Sequence, residues 1–377
     1  MRIGLDIGAA LTGRSGVRVY VEGLLRGLAA VDSANEYILY VASWTGRGRV
    51  SELSLPAAPN FRLETPKAPQ RLLLRLDEWG LGAQERWFRR WGLDLFHGLA
   101  HLAPPLRSMG SVITVHHVGG VSAKASRWDR YYLETLTDRC VRRADAVIAV
   151  SGFSGGEVAA HWSLPKEKLF VVHEGGPDPE FRPLSADAPR SRPPYVLHVG
   201  SFLEHKNIAT LVKAFRLWLE RDPGREEQLV LAGQAGRDLE RIAGLARELG
   251  LSGRVRILTR PTREEIVSLY QGAGMVVVPS LLEGFGFPVL EAMASGVPAI
   301  VSDRGALAEI AGGAALVFDA LDPRALADAM SRLAADPALA AELRAKGARR
   351  VLEFTWEQAA LKTIEVYRSV AARRARR

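Results

Sequence analysis

One cysteine, Cys140, stands among 377 residues, so no disulfide can close within the chain, and a reducing cytoplasm suits it. It falls in the stretch Asp138–Arg143, which reads as a helix in which the thiol is buried packing. No apolar run approaches the roughly 20 residues that a membrane-spanning helix needs. The opening residues Met1–Gly8 carry Asp6 inside a short apolar run, too short for a signal peptide, and read as a first strand. Zinc-ligand spacing, an aromatic RNA-binding signature, short-period repeats and low-complexity tracts are all absent from the sequence. Their absence sets aside metal fingers, RNA-binding modules and solenoids. No cluster of carboxylates at metal spacing appears either, so the expectation is chemistry without a metal and without a cofactor.

What remains is ordinary for a globular enzyme: 47% apolar and 24% charged residues, in a chain long enough for two domains. Net charge is +8, and the chain ends on the basic run Ala371–Arg377; nucleic acid, anionic lipid and a solvated tail are its three readings. With no nucleic-acid signature, membrane contact is the stronger of the first two. The segments Arg71–Trp79 and Glu85–Trp91 mix Leu, Trp and Arg as interfacial helices do. The plain alternative is a helix with its apolar side on the core and arginines outside.

Short β-branched runs alternate with helical stretches through both halves. Strands are expected at Arg2–Ile7, Tyr37–Val41, Leu95–His97, Val112–Val115, Ala146–Val150 and Leu169–Val172. A second set falls at Tyr195–Val199, Gln228–Ala232, Val255–Leu258, Met275–Val278, Ala299–Val301 and Ala315–Phe318. Such alternation gives parallel sheets covered by helices on both faces. Between the two sets, Phe181–Pro194 is proline-rich and aperiodic, and reads as a linker. The last segment has helical periodicity, with Thr355 as N-cap.

The densest chemistry lies in Ser280-Leu-Leu-Glu-Gly-Phe-Gly-Phe-Pro-Val-Leu-Glu-Ala-Met-Ala-Ser-Gly296. Glu283 falls in a loop at the carboxyl end of a strand. Gly284 and Gly286 permit close backbone approach, and Pro288 opens a helix with Glu291 expected in its first turn. The helix N-terminus offers N–H groups to an anion, while the carboxylates can take sugar hydroxyls. Two solvated glutamates beside a capped helix are the bland reading of the same residues.

The combined pattern resembles family 4 of the retaining GT-B glycosyltransferases, whose motif is two glutamates separated by seven residues, and the likeness runs over nearly the whole chain. It implies an α/β GT-B fold: two doubly wound Rossmann-like domains facing a central cleft, with a C-terminal helix crossing back to the first. The expected boundaries are 1–181 for an acceptor-binding domain, 182–194 for the linker, 195–354 for a nucleotide-sugar-binding domain, and 355–377 for the returning helix and basic tail. By resemblance, Gly16 approaches the donor, with Gly13 and Arg14 in the same loop. His116 contacts the transferred sugar, while His117 stands where the family carries aspartate. Lys206 holds the donor phosphates. His205 replaces the usual arginine, Ser201 in the same loop brings no charge, and Arg260 is a candidate substitute cation. The donor set adds Glu283, Gly284, Phe285, Gly286, Phe287 and Glu291, with Ser151 near the cleft. His97 resembles a recurrent family histidine and reads as structural. Glu174 and Gly175 sit where the family has Asn-Gly.

The implied activity is metal-independent hexosyl transfer, with retention, from a nucleotide-diphosphate sugar to a saccharide or lipid-linked saccharide in surface-polysaccharide assembly. GDP-mannose stands slightly ahead of UDP-sugars, and the expected location is cytoplasmic, with peripheral contact at the inner face of the membrane. Two other readings share the fold: a nucleotide-sugar epimerase, and a non-catalytic sugar-nucleotide or lipid-binding protein, which the missing arginine at position 205 favours.

Overall fold

The computed structural model describes residues 1–12, 16–42, 47–118, 131–185 and 194–376. Contacts divide the chain into two units: Met1–Gly175 with Phe354–Arg377, and Gly176–Glu353.

Unit 1 carries a seven-stranded parallel sheet. Its strands are β1 (Arg2–Asp6), β2 (Glu36–Tyr40), β3 (Phe61–Glu64), β4 (Leu95–Gly98), β5 (Gly110–Val115), β6 (Ala146–Ala149) and β7 (Leu169–Val171), in the order β3-β2-β1-β4-β5-β6-β7. The central strands β4, β5 and β6 are buried throughout, which is why they read as unbroken apolar runs. Edge strand β3 was not among the expected strands. Its Arg62 and Leu63 are exposed, so Phe61-Arg-Leu-Glu64 offers no apolar run to detect. The strand is held by backbone pairing to β2.

The last helix, Trp356–Ala375, packs on the first long helix, Gly16–Val31, in this same unit. Their approach depends on what three glycines leave out. A Cβ at Gly23 would fall 2.1 Å from the Trp356 indole, one at Gly175 would fall 2.4 Å from it, and one at Gly27 would fall 2.2 Å from the Trp356 carbonyl. Beneath this contact runs a buried polar chain. The Tyr367 hydroxyl meets His97 Nδ1 at 2.7 Å, His97 Nε2 meets Thr114 Oγ1 at 2.8 Å, and Thr114 Oγ1 meets the Tyr20 hydroxyl at 2.9 Å. Burial pushes the His97 imidazole down to about 3, with His116 adding to the effect. A neutral ring is therefore held between two hydroxyls, a structural role. The basic tail is partly tied down as well: Arg374 reaches the Asp145 carboxylate at 3.1 Å, and Arg373 donates to its carbonyl at 3.0 Å.

Unit 2 carries a six-stranded parallel sheet: β8 (Tyr195–Val199), β9 (Gln228–Gly233), β10 (Val255–Thr259), β11 (Met275–Val278), β12 (Ala299–Ser302) and β13 (Ala315–Phe318), in the order β10-β9-β8-β11-β12-β13. The order reverses between β8 and β11, the place where open α/β sheets leave a crevice for ligands. On one side the helices Ile208–Glu220 and Pro323–Ala335 pack Phe215, Trp218, Leu326 and Met330 against Leu229 and Leu231.

The expected first boundary, residue 181, falls inside unit 2. Arg263 pairs with Asp178 at 2.6 Å and with Glu180 at 3.2 Å, and its guanidinium lies 4.6 Å over the Phe181 ring. These contacts tie 178–181 to the second sheet, so the division comes at Gly175. Cys140 is buried, as packing required, and burial pushes its thiol up to about 11. Among the described residues no helix is long and apolar enough to cross a membrane.

Because Trp356 fills the space that a side chain at position 23 would need, Gly23→Ala should destabilise unit 1 by about 1–3 kcal/mol. Thermal unfolding followed by tryptophan emission measures this. An unchanged melting temperature would show that the two helices can part without cost.

Candidate active site

In unit 2 the chemistry gathers beyond the carboxyl ends of β8 and β11. Asn207 sits at φ 53°, a left-handed conformation that asparagine tolerates better than most residues. Its side-chain amide donates to the Pro279 carbonyl at 3.1 Å and the Ala320 carbonyl at 2.8 Å, which fixes the short turn Glu204–Lys206 over the end of β11. The Leu281 N–H donates to the His205 carbonyl at 2.8 Å, and the two loops are thereby laced together.

Within this frame Lys206 Nζ donates to Glu283 Oε1 at 2.6 Å, and Ser280 Oγ donates to the same oxygen at 2.8 Å. Burial disfavours the Glu283 carboxylate, yet the Lys206 charge, the two hydrogen bonds and the nearby His205 together bring it below the ordinary carboxyl range. The loop behind is equally constrained. Ser302 Oγ donates to the Ser280 carbonyl at 2.5 Å and the Ala306 N–H to the Glu283 carbonyl at 2.9 Å, while a Cβ on Gly305 would strike the Glu283 backbone at 2.7 Å.

The next helix is Phe287–Ala294, with Gly286 at φ 127° as its N-cap and Pro288 in its first turn. Glu291 is its fifth residue and so lies in the second turn, not the first as the sequence suggested: the helix begins at Phe287, one residue ahead of Pro288. Pro288 has no N–H, and the Val289 N–H is taken by the Gly286 carbonyl, so this terminus offers an anion fewer donors than an ordinary helix start. The Phe285 side chain is buried against Phe287, which leaves its backbone as the part able to meet a ligand. Burial pushes the Glu291 carboxyl up, opposed by the Tyr270 hydroxyl and the Arg263 guanidinium. That hydroxyl is itself buried beside Glu291 and finds no hydrogen-bond partner among the described residues.

Unit 1 has a polar cluster of its own at the ends of β4, β5 and β7. His116, just past β5, is buried. Its Nε2 lies 3.0 Å from the Leu99 carbonyl and its Nδ1 3.1 Å from Glu174 Oε1. Tyr20 meets the ring edge-on at 4.8 Å, and His101 lies 5.7 Å away. His101 is a non-glycine residue at φ 59°, and burial drives its imidazole well below the ordinary histidine range, helped by His117 and His116. His117 is half-buried, 5.2 Å from the His101 ring. Ser151 is the N-cap of the helix Gly152–Trp162, accepting from the Ser154 N–H at 3.0 Å; Ser154 Oγ in turn donates to the His116 carbonyl at 3.4 Å. At the end of β1, burial lifts the Asp6 carboxyl to about 6 against a hydrogen bond from the Gly8 N–H.

Residues 14–176 match the family description "Glycosyltransferase Family 4", and residues 184–350 match "Glycosyl transferases group 1". The MMP alpha-(1->4)-mannosyltransferase of Mycolicibacterium hassiacum is 31% identical over 307 residues, covering 76% of this chain and 72% of that one. The chain belongs to glycosyltransferase family 4, group 1. This glycosyltransferase is also 29% identical over 307 residues to the D-inositol 3-phosphate glycosyltransferase of Corynebacterium diphtheriae, covering 77% of this chain and 69% of that one. Its fold is GT-B. A sucrose-phosphate synthase from Thermosynechococcus elongatus superposes with a TM-score of 0.78 at 25% identity, over 99% of each chain.

The structure brings Lys206, Glu283 and His205 of this glycosyltransferase together, with Glu291 on the adjoining helix. Ser201 is half-buried in the loop after β8. Arg260 is not part of the group: it is exposed, at φ 55°, after the edge strand β10, two strands from β8. Gly16 is the exposed first residue of its helix; Gly13 and Arg14 lie outside the described residues. Sequence reasoning did not single out His101, Glu174 or Tyr270 as site residues. His101 and Tyr270 had no motif around them, whereas Glu174 had one signal, its departure from the family's asparagine.

The Lys206–Glu283 pair gives a pH-dependent prediction. A depressed Glu283 contributes stability that is present above the ordinary carboxyl value of 4.5 and lost as pH falls through its folded value. Lys206→Ala leaves that carboxylate buried and unpaired, so unit 2 should lose about 3 kcal/mol at pH 7. The loss should shrink as pH falls through the depressed folded value of Glu283, below which the carboxyl is protonated in both proteins. Denaturant melts over a pH series running from 7 down through the acid range measure it; a loss that does not change with pH would refute the pairing.

Proposed function

We propose that this glycosyltransferase moves a hexosyl group, mannose first among the candidates, from a nucleotide-diphosphate sugar to a saccharide or lipid-linked saccharide acceptor in surface-polysaccharide assembly. The transfer retains anomeric configuration and needs no metal. The observation that carries the reading is the Lys206–Glu283–Ser280 cluster at the β8/β11 reversal, with Glu291 on the helix that follows. Lys206 supplies a cation for the leaving diphosphate, where negative charge develops, and such preorganised groups are worth about 3–4 kcal/mol each. Glu291 accepts hydrogen bonds from ribose hydroxyls, which would also give the Tyr270 hydroxyl a partner. Glu283 and the Gly284–Phe287 backbone hold the transferred sugar. His116 is kept as the candidate for the transferred sugar and Gly16 for the diphosphate, both on the family resemblance alone.

Retention proceeds by same-face attack, the donor phosphate accepting the acceptor's proton. Glu283 Oε1 is already taken by Lys206 and Ser280, which favours a holding role over that of a nucleophile. The mannosyltransferase relative supports mannose as the sugar, and GDP as the nucleotide follows from that choice.

Peripheral membrane contact is assigned to the helices Gln70–Glu78 and Ala83–Arg90. Leu73 and Phe88 pack inward, whereas Leu72, Trp79 and Leu81 stay exposed among Arg75, Arg86, Arg89 and Arg90, with Trp79 at 73%. Such a surface suits an anionic lipid headgroup layer.

Thermal shifts with GDP, UDP and ADP test the donor assignment. GDP at a hundredfold excess over its Kd should stabilise the protein by about 2.7 kcal/mol, and Glu291→Ala should abolish the shift. Stabilisation by UDP alone would overturn the mannose reading, and stabilisation by none of the three would overturn the donor site. Lys206→Ala should lower kcat about a hundredfold; an unaltered kcat removes Lys206 from the chemistry, and a covalent sugar adduct on Glu283 rules out same-face attack.

A further inference from the structure

The Leu99 carbonyl can only accept, so His116 Nε2 carries a proton and donates it there at 3.0 Å. The opposite nitrogen, Nδ1, faces Glu174 Oε1 at 3.1 Å. Both residues are buried, Glu174 at 3% exposure. A bare Nδ1 lone pair against an ionised carboxylate would be repulsive in such a place, so one proton lies in this bond and the pair is neutral overall. Losing it would strand a carboxylate in a buried site. Around the pair stand Tyr20 edge-on to the ring, His101 and His117 on the loops after β4 and β5, and neutral His97 beneath. At Glu174, His116 is the group that works against burial.

By the sequence resemblance, Asp is expected directly after this histidine and Asn at the position of Glu174. This chain has His117 and Glu174 instead, so one carboxylate is present in either arrangement but on a different strand end. We propose that Glu174 is the positioning residue for His116: it replaces that aspartate, fixes the imidazole's orientation and proton count, and so holds the ring against the transferred sugar. The proposal rests on the assignment of His116 to that sugar. Both ring nitrogens are engaged, one by Leu99 and one by Glu174, so the ring cannot turn without breaking a buried hydrogen bond. Serine-protease aspartates act on their histidines in the same way, through tautomer and orientation.

The test has one arm without substrate and one with it, both on the full chain. Proton NMR of the wild type should show a far-downfield resonance from the shared proton, absent in Glu174→Gln, whose amide donates an ordinary N–H to Nδ1. In transfer assays with GDP-mannose, Glu174→Gln should lower kcat about 10- to 100-fold, the range that carboxylates orienting a metal-bound histidine command, with donor KM within about twofold. Glu174→Asn should lose as much, and Glu174→Asn with His117→Asp should regain most of it, because the carboxylate returns from the other side. Should Glu174→Gln fail to fold, the double substitution carries the kinetic arm. An unchanged kcat, a double substitution no better than Glu174→Asn, or no resonance that depends on Glu174 would each overturn the proposal. If the wild type transfers nothing from any nucleotide sugar, the functional reading fails, and the resonance alone then decides the pairing.

Discussion

Trp356 occupies space that Gly23, Gly27 and Gly175 leave free, and on that contact depends the way the chain closes its first unit. The polypeptide builds one sheet, departs to build a second, and returns to lay its last helix on its first. Close approach of two helices needs small residues at the crossing, and a single methyl group there meets indole or backbone within 2.4 Å. The buried line Tyr367–His97–Thr114–Tyr20 adds direction to this apolar contact, since each group satisfies the next. His97, which reads as structural in the sequence, is committed to holding the returning helix.

The polar clusters of the two units share a physical plan. Each places a carboxylate beside a nitrogen at the end of a parallel strand: part-buried Glu283 with Lys206 in unit 2, buried Glu174 with His116 in unit 1. A buried charge is tolerable only when paired, and each pair is reinforced by a backbone carbonyl or a hydroxyl. The electrostatic outcome differs. The fixed cation of Lys206 wins over burial and depresses Glu283, whereas at Glu174 burial prevails over His116 and the carboxyl is raised. One site is thus set to hold negative charge and the other to hold a proton.

Several elements could be read before any coordinates. The spans of β8, β11 and β13 fall where alternation of apolar runs puts them, because each is a short, continuous apolar or β-branched run whatever its exposure. Glu283 and Lys206 were singled out through the family resemblance, and the structure places them 2.6 Å apart. β3 was not legible, since an edge strand is specified by its neighbour's backbone. Glu291 was placed one turn too early, because the helix begins at Phe287, one residue ahead of the proline that marks its first turn in the sequence.

The sequence by itself determined two parallel α/β sheets, the loops that follow their strands, and a family resemblance carried by the Glu283–Glu291 run. All of these are local: periodicity, turn chemistry and spacing act over a few residues. Tertiary structure decided which distant groups share a hydrogen bond. Lys206 and Glu283 are 77 residues apart, His116 and Glu174 58, and His97 and Tyr367 270. No local pattern encodes such pairings, because each depends on strand order and on helices packing to within an ångström. The compensating role of Glu174 therefore became visible only once β5 and β7 had been brought into one sheet.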